Sequence, residues 1–178
     1  MTEQQEASED AVMTRIGQAV ILLHAGDREE ARNRLGDIWQ EIGEEGDSLH
    51  RCTLAHYMAD AQDDPADELA WDLRALTAAD ALGDGPGSGR GNGRRAQREP
   101  LPAMRVFYPS LHLSLAADYL KLQRPEAARV HLARARAAAG ALSDDGYGNG
   151  VRAAIARLER RLAAEPGAGR PRPFPEQS

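Results

Sequence analysis

The chain has 178 residues, 42% of them hydrophobic but only 4% aromatic, which allows one or two domains whose core is built from Leu, Ala, Val and Ile. A formal net charge of −6 and a pI near 5.4 argue against nucleic acid as the partner, because a phosphate-tracking protein carries a basic excess. The single cysteine, Cys52, excludes an internal disulfide, and no apolar run reaches the roughly 18 residues of a membrane span. The opening MTEQQEASED lacks the basic flank and apolar core of a signal peptide, so a cytoplasmic protein is expected.

Residues 1–10 read as a disordered N-terminus, followed by a helical domain over 11–164. Its first helix starts after Asp10 and carries Val12, Ile16, Ala19, Val20 and Leu23 along one broad face. Gly26 closes it where a left-handed cap is cheap. Asp27 then caps a second helix, with Glu30 three residues on, and Ala31, Leu35, Ile38 and Ile42 turn toward the first. So short a turn makes the pair antiparallel, a hairpin over about 11–43.

After a break at Glu44 to Asp47, Asp47 or Ser48 caps a third helix containing Cys52, Leu54, Ala55, Met58 and Ala59. Asp64 as N-cap and Pro65 at the first helical position open a fourth, in which Leu69, Leu73 and Leu76 repeat at helical spacing beside Trp71. This second hairpin spans about 47–82. Residues 83–102, GDGPGSGRGNGRRAQREPLP, have almost nothing to bury and read as a flexible Gly/Arg insert between helical units. The tract loosely resembles Arg/Gly segments that contact RNA, but it lacks interleaved aromatics, and a solvated linker is expected.

A third hairpin over about 104–142 uses Leu111, Leu115, Ala116, Tyr119 and Leu122, then Ala128, Leu132, Ala135 and Ala139, with Pro125 opening its second helix. Val151, Ile155, Leu158 and Leu162 form the apolar stripe of a capping helix over about 147–164, whose other face carries arginines. Residues 165–178 read as a disordered Pro-rich tail.

Two stretches share one template: Ala19, Leu22, Ala31, Leu35 and Ile38 in the first, Ala116, Tyr119, Ala128, Leu132 and Ala135 in the second. On these residues the stretches AVILLHAGDREEARNRLGDIW and SLHLSLAADYLKLQRPEAARVHLARARA resemble tetratricopeptide repeats, with His112 at the signature Trp position and Gly140 at the closing Pro. The middle unit keeps Leu54 and Ala55 but fits only with an altered turn. The Ala, Arg and Gly bias is also similar to that of tetratricopeptide-like proteins of high-GC actinobacteria. The resemblance implies an all-α fold, a tetratricopeptide-like α-α superhelix of antiparallel hairpins with a C-terminal capping helix.

It also implies that the first helix of each hairpin lines a concave groove. The groove set is then Ile16, Val20, His24, Cys52, His56, Asp60, Leu113, Ala117 and Lys121, an apolar end, a polar middle and a lysine at the far end, suited to an extended or helical peptide. The expected function is a non-catalytic protein or peptide interaction module, a bacterial scaffold or regulatory adaptor without cofactor, compatible with a homodimer. Ile16 and Val20 stand where the clamp for chaperone C-termini has Lys and Asn, which argues against a co-chaperone role.

An alternative reading is a metal-binding sensor or metal-dependent enzyme centred on Cys52, His56 and Asp60, which succeed one another at four-residue spacing on one helical face. Three ligands on one helix without a second ligating element rarely close a tetrahedral site. A Cys52 and His56 nucleophile pair likewise lacks a visible orienting group or oxyanion pocket. The acidic run Asp60, Asp63, Asp64, Asp67 and Glu68 is explained by capping at a helix N-terminus.

Overall fold

Local capping chemistry sets most of the helix boundaries. The computed structural model describes residues 3–83 and 102–164, and among them it contains seven helices and no strand. The expected insert, apart from its two ends, and the expected tail lie outside the described residues.

α1 spans Glu3–His24, so residues 3–10 are helical and the helix begins well before the expected start after Asp10. Glu3 and Glu6 stand in its first turn, where carboxylates offset the partial positive charge of the unpaired amides. α2 spans Arg28–Ile42, and the link between them is a Schellman turn. Gly26, at φ +93°, donates to the Leu23 carbonyl and Asp27 to the Leu22 carbonyl. Asp27 at once becomes the N-cap of α2, accepting from the Glu30 amide at 3.3 Å.

The same turn recurs between α5 (Pro102–Lys121) and α6 (Pro125–Ala139). There Gln123 donates to Leu120 and Arg124 to Tyr119, and Gln123 takes the left-handed position at φ +58° that Gly26 fills in the first hairpin. The template residues occupy matching places: Ala19 and Ala116 are fully buried, as are Ala31 and Ala128, so each helix pair closes on small side chains.

α3 (Ser48–Asp60) and α4 (Pro65–Gly83) meet through a different turn. Asp47 caps α3 by accepting from the Leu49 and His50 amides, and Asp64 caps α4 by accepting from Ala66 and Asp67. Cys52, Ala55, Ala75 and Ala79 form a buried small-residue seam between the two helices, the most intimate helix pair in the fold together with α5 and α6. α7 (Gly146–Ala164) covers α5 and α6 with Val151, Ile155, Leu158 and Leu162. Asp145 caps it through the Gly148 amide.

The core is therefore divided along the chain. Ile16, Ala19, Leu35, Ile38, Leu54 and Met58 join α1, α2 and α3; the Cys52 seam joins α3 and α4 to Leu111 of α5; a third cluster joins α5, α6 and α7. Contacts run mainly between sequence neighbours, with α1 also touching α3 and α5 touching α7. No described helix is long and apolar enough to cross a membrane.

Candidate functional site

The close approach of α3 and α4 carries a carboxylate out of water. Asp72 lies on the same stripe of α4 as Ala75 and Ala79, and at 2% exposure it is as buried as they are nearly. A buried carboxylate is tolerated only when paired. Its partner is His56, on α3 one turn beyond Cys52, with Nδ1 3.2 Å from Asp72 Oδ1. Burial alone would lower the His56 pKa, but the hydrogen bond to Asp72 and its charge, helped by Asp60, raise it above the usual histidine value.

α5 adds a second buried carboxyl. Asp118 continues the stripe of Leu111 and Leu115 and is 1% exposed, and its Oδ2 has no hydrogen-bond donor among the described residues. Burial first, then the charge of Asp72 and hydrogen bonding with it, then Glu68, push its pKa up to about 9. Near neutral pH Asp118 is consequently a neutral acid, its proton held against Asp72 and Glu68. Glu68, half-buried in the first turn of α4, is clamped by Lys121, whose Nζ lies 2.7 Å from both of its oxygens.

Glu68 and Lys121 also line a cleft of about 470 Å³, together with Arg28, Asp60, Gln62, Asp63 and Pro65. Arg28 of the lining donates to Asp63 and to the Gln62 carbonyl at 2.6 Å, and Arg32 donates to Asp63 and to the Ala61 carbonyl at 3.1 Å. These guanidiniums satisfy carbonyls at the C-terminal end of α3 and, through their hydrogen bonds, hold the Asp63 carboxyl below the usual range. Asp60 reaches the cleft from the last turn of α3. Partial desolvation, the largest cause, raises its pKa, His56 pulls it down, and Asp72 and Glu68 push it up; it makes no ion pair among the described residues.

Of the residues expected to line a groove, the structure brings His56, Asp60 and Lys121 to this junction, and His24 stands exposed at the end of α1 within electrostatic reach of Asp60. Ile16 and Cys52 require correction, because both are buried. Ile16 packs with Ala19, Leu35 and Ile38, and Cys52 sits under Ala75 and Leu111. Val20 is half-buried against the α1–α2–α3 core, and Leu113 and Ala117 against the α5–α6–α7 core, leaving only part of each side chain to a ligand.

The row Cys52, His56 and Asp60 is split by the same packing. The helix passes from a buried end at Cys52 to an exposed end at Asp60, and burial, then Asp72, push the Cys52 thiol up to about 12. Its side chain is fully covered by the packing of α3, α4 and α5. Among the described residues no group of three or more His, Cys, Asp and Glu side chains is arranged to hold a metal ion.

Asp72 and Asp118 were not among the expected site residues, although each interrupts an apolar stripe: Asp72 precedes Ala75 and Ala79, and Asp118 follows Leu111 and Leu115. An acid at a core register is the signal that finds them. A second cleft of about 640 Å³ lies by Trp39, Arg51 and Arg74. There the two indoles, Trp39 and Trp71, meet edge to face at 5.2 Å, with Arg51 over the first and Arg74 over the second. No protein-family model, curated protein or solved structure matches the chain.

Proposed function

We propose that this chain is a non-catalytic, cytoplasmic interaction module, a tetratricopeptide-like superhelix that binds a segment of a partner protein where α3, α4 and α5 meet. The recurrence of one Schellman turn at Gly26 and Gln123, with the same buried alanines on either side, supports the repeat architecture. The observation that carries the binding role is the cleft at Asp60, Glu68 and Lys121. Glu68 connects it to the buried His56 and Asp72 pair and the neutral Asp118, a polar set that an apolar core would replace at less cost if the junction served packing alone. Three carboxyls and two cations set side by side offer polarity and hydrogen bonding to a peptide, but no activated nucleophile or enclosed reaction chamber. That arrangement favours recognition over catalysis.

A displayed library of random peptides selected against the immobilised chain tests this reading. Enrichment of a sequence class on the native chain, lost on a folded Asp60→Lys, Lys121→Glu variant, is the expected result. Equal enrichment on both chains, or none on either, would remove the cleft as a peptide site.

A further inference from the structure

The cleft by Trp39 lies at the other end of the α3–α4 pair from Asp60 and Glu68, and its lining carries the opposite excess of charge. Arg51, from the first turn of α3, and Arg74, from the middle of α4, reach it together with the exposed Glu44. None of these three side chains is in an ion pair among the described residues. Two guanidiniums against one carboxylate leave a positive charge unmatched, in a chain whose formal net charge is −6.

Both cations are positioned by indoles. Arg51 stands 4.3 Å over Trp39 and Arg74 stands 4.4 Å over Trp71, while the indoles themselves meet edge to face and pack against the buried clusters of α1 to α4. The guanidiniums are thereby placed before a ligand arrives, which lowers the ordering cost of binding. Arg51 also donates to the Gly43 carbonyl at the end of α2, whereas Arg74 donates no hydrogen bond to another described residue. Most of their N–H donors are left for a ligand. Beside them Leu73, 38% exposed, and the exposed Ala81 turn apolar surface into the same cleft.

We propose that this cleft binds a small organic carboxylate with an apolar body, the acid group paired with the guanidiniums of Arg51 and Arg74 and the body lying against Trp39, Leu73 and Ala81. A single carboxylate balances the charge that Glu44 leaves over, and arginine matches its planar geometry through paired N–H donors. A phosphate monoester, with nearly twice the charge, would overshoot that balance. The volume of about 640 Å³ and the mixture of apolar wall and few polar groups are those of small-molecule sites. The two clefts share no lining residue, so this inference goes beyond the peptide-binding reading and stands without it.

The chain has two tryptophans, and both carry the arginines of this cleft, so indole emission reports on it selectively. The full chain is titrated near neutral pH and at constant ionic strength with phenylbutyrate, with phenylbutanol, which keeps the body without the charge, and with butyrate, which keeps the charge without the ring. A saturable emission change is expected with phenylbutyrate, at least about tenfold tighter than with either control, the gain of a charge-assisted hydrogen bond joined to apolar burial. Arg74→Gln, read by calorimetry because the substitution itself alters the Trp71 surroundings, should weaken phenylbutyrate by about tenfold and leave phenylbutanol unchanged. Asp60→Lys, Lys121→Glu should bind phenylbutyrate as the native chain does. No saturable response, phenylbutanol or butyrate binding as tightly as phenylbutyrate, or native affinity in a folded Arg74→Gln would each overturn the proposal. Absence of phenylbutyrate binding leaves the peptide reading of the junction intact, and failure of the display selection leaves this inference intact.

Discussion

Lys121 Nζ sits 2.7 Å from both oxygens of Glu68, so a lysine at the end of α5 closes over the first turn of α4. This contact joins α4 to α5, and its Glu68 neighbours the buried Asp118. Both partners retain some solvent contact, and such pairs contribute at most about 1 kcal/mol. Lys121→Met should accordingly lower stability only slightly, measured by urea unfolding. Unfolding of the variant by several kcal/mol would show that the pair is structural in a way the geometry does not indicate.

Asp118 makes stability depend on pH in a direction opposite to that of an ordinary salt-bridged carboxylate. Its folded pKa, about 9, lies above the unfolded value near ~4. Its contribution is thus fully present below ~4 and is lost as pH rises toward 9. Within that window the folded chain holds the extra proton, so stability declines as pH rises. Urea unfolding at a series of pH values should show this decline in the native chain and a flatter profile in Asp118→Asn. Parallel profiles would contradict the assignment.

The acid limb has a different source. His112 and His131 face one another, Nδ1 to Nδ1 at 3.0 Å, stacked between Tyr108 and Tyr119. Burial, then His131 and Arg134, lower His112 to about 4 against a slight opposing pull from Asp80, and burial and Arg134 lower His131 as well. A depressed histidine favours the neutral folded state, so this contribution is complete above about pH 6.5 and falls away as pH drops toward 4. His112→Phe keeps a ring in the stack and removes one titration. It should cost about 1 kcal/mol at neutral pH, by leaving His131 without its partner, yet lose less stability on acidification.

Gln123 offers a stabilising substitution. It holds φ +58° at the position that Gly26 fills in the matching turn, a conformation costing an L residue about 1 kcal/mol. Gln123→Gly should raise the unfolding free energy by a comparable amount, moving the urea midpoint upward, and Gly26→Ala should lower both. At the other end of the fold, a Cβ on Gly148 would stand 2.1 Å from the Ser143 carbonyl oxygen. Gly148→Ala should displace α7 from its Asp145 cap and the Arg152 contacts with Leu142 and Ser143, costing more than about 2 kcal/mol.

The helix ends were legible where they depended on local chemistry. Gly26, Asp27, Asp47, Asp64 and Pro65 act where their own amides and carbonyls require them, and no tertiary information is needed to place them. The start of α1 was less legible, because a polar, acidic stretch reads equally as solvated coil until its carboxylates are matched to a helix N-terminus. Burial along α3 was beyond periodicity: spacing places Cys52, His56 and Asp60 on one face, but only the crossing of α4 and α5 decides that the Cys52 end is covered and the Asp60 end open. Asp72 and Asp118 eluded the reading for the same reason. Each looks like one solvated acid among small residues until two helices bring them together.

The most direct measurement for recognition at the α3–α4–α5 junction is amide chemical-shift mapping of the labelled chain with a peptide from the display selection. Shifts concentrated at Asp60, Gln62, Glu68, Asp118 and Lys121, and absent in Asp60→Lys, Lys121→Glu, are the predicted result. A folded native chain whose shifts cluster elsewhere, for example around Trp39 and Arg74, would contradict the assignment of the cleft.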